Sequence, residues 1–176
     1  HLPEPGAPAA SAWEQQEDIW VASGTILLDI ILWRMPLEGH GPEPICIRLQ
    51  GHEGSIFRLR WVPGLASLAS VSDDRTLRIW QLPDPSQSSG AGPVIVSGSK
   101  QVLRCRGSRL WDCLVLGEGT AGRRGLAVAV TCGDDCCARV WDLRSPEQQE
   151  AVARLQGHRG RALWCLAAHG LLLATG

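Results

Sequence analysis

The chain has 176 residues, of which 44% are apolar, and a formal net charge of −1, the make-up of an ordinary soluble globular protein. No apolar run approaches the length of a membrane span, since the longest candidate, Thr25 to Trp33, is short and broken by Asp29. The first residues have no basic region followed by an apolar core, so they do not read as a signal peptide. The chain starts at His1 rather than a methionine and reads as a piece of a longer protein.

In chain order, residues 1–18 are rich in Pro, Ala and acidic groups and read as a flexible flank. Between Ile19 and Met35, two apolar runs separated by Ser23 and Gly24 predict two strands, the second carrying Trp33. Pro36 to Pro44 reads as a Gly/Pro loop, and Ile45 to Leu49 as a strand leading into the most regular stretch, Gly51 to Leu82. There Gly51 and His52 precede an alternating strand from Ile56 to Trp61. An apolar strand from Ala66 to Val71, a polar turn from Ser72 to Arg75, and a third alternating run from Thr76 to Leu82 with Trp80 follow.

The letters LQGH at 49–52 return at 155–158, 106 residues later. At about 40–45 residues per repeat this is two repeats plus inserted sequence, which composition places at Pro83 to Pro93 and Gly117 to Gly125. Between the insertions a third unit is predicted, with strands near Leu110 to Leu116, Leu126 to Cys132 and Cys137 to Leu143. There DDCCARVWDL (134–143) copies DDRTLRIWQL (73–82) position for position. Setting CRGSRLW against HRGRALW leaves either Cys105 or Arg106 opposite the histidine position. A fourth unit opens at Gly157, with a first strand around Ala162 to Ala167 and part of a second at Leu171 to Thr175. The predicted organisation is thus a flank (1–18), a partial unit (19–35), a full unit (45–82), a unit with insertions (93–143) and the start of another (151–176).

A Gly-His pair, three strands, an Asp-containing turn and a terminal Trp in this order resemble a WD repeat, and from Ile19 to Gly176 the chain resembles the WD-repeat β-propeller family. The resemblance implies an all-β fold, an arc of about three to four blades from a larger protein. Closed propellers need about four to eight blades, so the arc is expected to leave faces and strand edges exposed. In blades of this family a His before the first strand meets an Asp in the turn before the third, and a Thr and a Trp indole complete a polar chain. The matching residues are His52, Asp74, Thr76 and Trp80, with Asp135 and Trp141 in the third unit and His158 in the fourth. Leu27 and Asp29 stand where Asp74 and Thr76 stand, and Cys137 replaces the Thr, so the first and third units are degenerate. His52, Asp74 and Thr76 do not read as a nucleophilic triad, which needs an exposed nucleophile and an oxyanion site.

No phosphate loop, paired carboxylates or histidine cluster marks an enzyme, and no cofactor is expected. The seven cysteines are odd in number and lack a regular framework, which favours a reducing compartment, here taken as the cytoplasm. Cys132, Cys136 and Cys137 do not read as a metal site, because adjacent residues on a strand point opposite ways. Five of the eight tryptophans occupy matching repeat positions and read as structural. Sixteen of the 17 basic residues are arginines, and Lys100 to Arg124 carries a local net charge of +4. The candidate RNA or partner contacts are Arg104, Arg106, Arg109, Arg123 and Arg124, with Arg159 and Arg161 in a second cluster.

The phrases VASGTIL, GHEGSIF and LAAH narrow the resemblance to the large WD-repeat regulatory partners of the tRNA wobble-nucleotide 2′-O-methyltransferase. That resemblance implies a non-catalytic adaptor that positions tRNA for a separate 2′-O-ribose methyltransferase, with tRNA and that enzyme as partners. The alternative is a general protein–protein scaffold, a signalling or ubiquitin-ligase substrate adaptor. No membrane association is expected on either reading.

Overall fold

A computed structural model describes residues 19–35, 46–62, 65–84, 92–116, 128–145, 150–169 and 172–176. The predicted flank, the Pro36 to Pro44 loop and most of both insertions lie outside the described residues. Within them are fourteen strands and no helix. They form three four-stranded sheets and a terminal hairpin, so the chain is an all-β arc of a propeller.

The first sheet pairs β1 (Ile19–Gly24), β2 (Ile30–Met35), β3 (Cys46–Gln50) and β7 (Val94–Ser97) in that order. The second runs β4 (Ile56–Val62), β5 (Ser67–Ser72), β6 (Thr76–Gln81) and β8 (Gln101–Arg104). The third runs β9 (Leu110–Leu116), β10 (Val128–Gly133), β11 (Cys137–Asp142) and β12 (Ala153–Gln156), and β13 (Leu166–His169) with β14 (Leu172–Thr175) closes the chain as a hairpin. Neighbours are antiparallel except β3 and β7, whose register runs in parallel from Ile47↔Val94 to Gln50↔Ser97.

Four strands fall in other sheets than the sequence reading places them: β3, read with the 45–82 unit, pairs with β2 in the first sheet, β12, read with the 151–176 unit, pairs with β11 in the third, and the third unit does not open at residue 93. Val94–Ser97 instead extends the first sheet and Gln101–Arg104 completes the second. Each strand has only four residues, too few for alternation to declare a side. Val94 and Val96 pack on the core of Ile47 and Leu49, and the chain then crosses to β6. In the fourth unit the ladder begins at Leu166 rather than near Ala162; Leu163 is held instead by its N–H to the Gly133 carbonyl at 2.9 Å.

Sheets stack face to face through three cores. Ile30, Leu32, Ile47 and Leu49 of the first sheet meet Leu68, Trp80 and Leu82 of the second. Val71, Leu77 and Ile79 meet Leu110, Cys113, Ala129 and Trp141 of the third, and Val130, Cys132 and Ala138 meet Leu163 and Leu166. Strand alternation lets each sheet serve two cores, one per face. Trp80 and Trp141 each face the preceding sheet, buried to 0% and 2% exposure, and an indole so buried contributes about 4–6 kcal/mol of transfer free energy. Trp33 holds the same place in the first sheet but is exposed, in one face with Ile19, Val21 and Met35.

One turn confirms the repeat register. Leu28, Arg75 and Cys136 are the three described non-glycine residues with left-handed backbone, at φ 74°, 64° and 57°, and each sits five residues before the tryptophan of the strand that follows, Trp33, Trp80 and Trp141. Gly54 packs against the Arg75 turn so closely that a Cβ there would lie 2.6 Å from the Asp74 nitrogen.

Candidate functional site

The polar chain is intact in the second sheet, with a member the sequence reading missed. His52 is buried, with Nδ1 2.7 Å from Asp74 Oδ2 and Nε2 2.7 Å from Ser70 Oγ. The Trp80 indole N–H donates to Ser70 Oγ at 2.8 Å. With a carboxylate at Nδ1, the proton sits there, so Nε2 accepts from the Ser70 hydroxyl, which in turn accepts from Trp80. Thr76 lies on the far side of the carboxylate, donating from Oγ1 to Asp74 Oδ1 at 2.6 Å. The link from histidine to tryptophan therefore runs through Ser70 and not through Thr76. Burial alone would raise the Asp74 pKa, but hydrogen bonds from His52, Thr76 and the Glu53 N–H outweigh it and hold the carboxyl well below the usual range.

The third sheet keeps both ends of the chain and lacks the middle. Trp141 donates to Thr131 Oγ1 at 2.9 Å, as Trp80 does to Ser70. Asp135 is instead gripped by Arg139 through both carboxylate oxygens and by Arg154 at 3.3 Å. Arg139 is the main cause of its lowered pKa. The Asp73 N–H bonds the Ser55 carbonyl and the Asp134 N–H bonds the Arg109 carbonyl, which puts Arg106 in register with His52 and Cys105 with Gly51. Arg106 points to solvent, so no ring joins Thr131 to Asp135. Cys137, in the Thr76 position, directs its thiol to the Asp135 carbonyl at 3.0 Å. In the fourth unit, His158 Nε2 lies 2.7 Å from Thr175 Oγ1, the counterpart of the His52–Ser70 contact.

A second missed residue is Asp112 on β9, fully buried at the junction of three units. Arg58 (3.2 Å) and Arg60 (3.1 Å) reach it from β4, the Cys113 N–H bonds it at 2.8 Å, and the Leu166 N–H bonds it at 3.0 Å. An acidic residue inside an apolar strand, one position from an aromatic start and facing two arginines, was the available signal. Among the described residues, no group of three or more His, Cys, Asp or Glu side chains could hold a metal ion, and all seven cysteines are free. Burial raises the thiols of Cys105 and Cys113 and pushes Cys132 up to about 12.

The candidate arginines divide. Arg104 and Arg106, both exposed, stand at the mouth of a cleft of 160 Å³ lined also by Cys105, Arg139, Trp141 and Glu150. Arg109 is paired with Asp73 at 2.9 Å. Arg159 and Arg161 are exposed on the segment entering the hairpin, which the Cys136 thiol ties down through the Gly160 carbonyl at 2.9 Å. All five lie at the end of the arc that carries the Asp73 and Asp134 turns. Arg123 and Arg124 fall outside the described residues; the strand ends on either side of them, Leu116 and Val128, lie at the opposite end of the third sheet.

Residues 42–81 match the family model for the WD domain, G-beta repeat. Over 164 residues, 90% of its length, the chain is 25% identical to the human (Homo sapiens) protein tRNA (34-2'-O)-methyltransferase regulator WDR6 and spans 12% of it. It is also 36% identical to bovine (Bos taurus) Coronin-7 over 109 residues, covering 60% of the chain and 11% of that protein. To the WD40 repeat-containing protein HOS15 of Arabidopsis thaliana it is 26% identical over 144 residues, covering 79% and 22%.

Proposed function

We propose that this WD-repeat chain is part of a non-catalytic adaptor that presents tRNA to a separate methyltransferase for 2′-O-ribose methylation of nucleotide 34. The observation that carries the reading is likeness along 90% of the chain to proteins named as regulators of that methyltransferase. The local chemistry agrees with a binding role. Every member of the His52 chain is consumed in holding a blade together, and a group so partnered has no free lone pair or proton to offer a substrate. Binding falls instead to loops and the rim.

On this reading the rim arginines meet RNA phosphates. Arg159 and Arg161 are the best placed, exposed and without an ion pair to a described residue. The adaptor works in the cytoplasm, where free cysteines persist. Reconstitution tests the reading: the full chain alone should not methylate tRNA, and adding it to the methyltransferase should raise ribose methylation at nucleotide 34. Equal methylation with and without the chain would defeat it.

A further inference from the structure

The outermost strand of each sheet leads into the next unit, and strand pairing aligns the residues where it does so. Leu49 lies opposite Ile30 as Leu103 lies opposite Leu77, and Arg104 lies opposite Thr76 as Gln156 lies opposite Cys137. Gln50, Arg104 and Gln156 therefore share one place. Gln-Gly-His stands there at 50–52 and again at 156–158, whereas the third unit is led in by Arg-Cys-Arg at 104–106. In the second sheet a Cβ on Gly51 would lie 2.8 Å from Arg78 Nη1 and 3.2 Å from the Trp80 ring, so these three residues leave no gap. At the corresponding positions Cys105, Arg139 and Trp141 line the 160 Å³ cleft, with the Arg139 guanidinium drawn onto both oxygens of Asp135. Arg104 and Arg106 at its mouth have no ion pair or side-chain hydrogen bond to a described residue. All of these residues belong to the second and third units, each flanked by a further unit on either side.

We propose that this cleft seats one phosphate of an RNA backbone, held jointly by Arg104 and Arg106. The proposal rests on the tRNA adaptor reading and deepens it by placing one phosphate contact in the fold. Asp135 neutralises Arg139, so the lining keeps two guanidinium groups against the one carboxylate of Glu150. That excess of one positive charge is what a phosphodiester balances. Arg154, the other partner of Asp135, does not line the cleft. Clefts that enclose a whole small molecule measure roughly 300–1,000 Å³, so 160 Å³ suits a group of a few atoms. Guanidinium forks match the oxygens of phosphate. The Glu150 carboxylate penalises a second negative charge, which sets the phosphodiester of RNA above the nearly dianionic phosphate of a modified protein side chain.

The test titrates the full chain with a short single-stranded oligouridylate over a series of salt concentrations. Arg104→Gln combined with Arg106→Gln should weaken binding by about 10- to 100-fold. It should also flatten the slope of log affinity against log salt by about 0.7, the contribution of one phosphate on a single strand. Each single substitution should account for most of that change, because both arginines hold the same group. Lys100→Gln combined with Arg144→Gln removes the same charge from exposed positions elsewhere and should weaken binding by less than about 3-fold. Far-UV dichroism should be the same for all the proteins. A slope change of about 1.4, reached in two equal steps, would mean two separate phosphates and overturn the shared seat. Unchanged binding by the Arg104 and Arg106 double variant, or equal weakening by the control, would overturn the seat and leave the adaptor reading intact. A phosphoserine peptide that binds more tightly than the RNA, and is lost in the same double variant, would overturn RNA as the occupant. Failure of the unaltered chain to bind the RNA would overturn both readings.

Discussion

His52→Ala removes the ring that joins the two halves of the polar chain, and the structure sets the size of the effect. The side chain is wholly buried and makes two bonds of 2.7 Å, to Asp74 and Ser70. A hydrogen bond to a charged acceptor contributes about 1.5–3 kcal/mol and one to a neutral partner about 0.5–1.5 kcal/mol. Asp74 keeps Thr76 and the Glu53 N–H, which limits the loss, while the emptied ring volume adds to it. The expected destabilisation is about 2–4 kcal/mol, or about 4–16 °C in Tm for a chain of this size. Arg106→Ala at the matching position of the third sheet should cost less than about 0.5 kcal/mol, because that side chain lies in solvent. Urea denaturation of the full chain and of both variants measures each value. Equal losses for the two would refute the assignment of one intact and one interrupted chain.

Asp74 has a folded pKa below its ordinary value of 3.8, so the unfolded chain binds the extra proton. Its stabilising share is complete above that value and is lost as pH falls through it toward the folded pKa; Asp74→Asn should flatten this acid limb in urea titrations between neutral pH and pH 3. Asp112→Asn should destabilise by about 2–4 kcal/mol in the same assay, most of it from buried N–H groups left without a charged acceptor. Arg75→Gly should stabilise by about 0.5–1 kcal/mol, since the left-handed backbone there costs an L-residue more than glycine. In mass spectrometry after brief alkylation at pH 8, exposed Cys165 should react and buried Cys113 and Cys132 should not.

The second sheet was legible because alternation, turn residues and the closing Trp agree over its first three strands. Its fourth strand was not, since four residues beside a Gly/Ser-rich insertion give no period. Ser70 was missed although the sequence repeats its place: Ser23, Ser70 and Thr131 each stand ten residues before Trp33, Trp80 and Trp141. That spacing follows from the hairpin register, which sets Leu68 opposite Trp80 and puts Ser70 on the same face. The third-sheet histidine position stayed open between Cys105 and Arg106 because only the bonds from Asp73 and Asp134 fix the loop register.

Affinity purification of the full chain from cells, reading co-purified protein and RNA together, tests the adaptor role most directly. Recovery of a 2′-O-ribose methyltransferase together with tRNA is the predicted result, and raising salt should strip the tRNA. Recovery of signalling kinases or ubiquitin-ligase subunits without RNA would contradict the tRNA role and leave a protein scaffold built on the same blades.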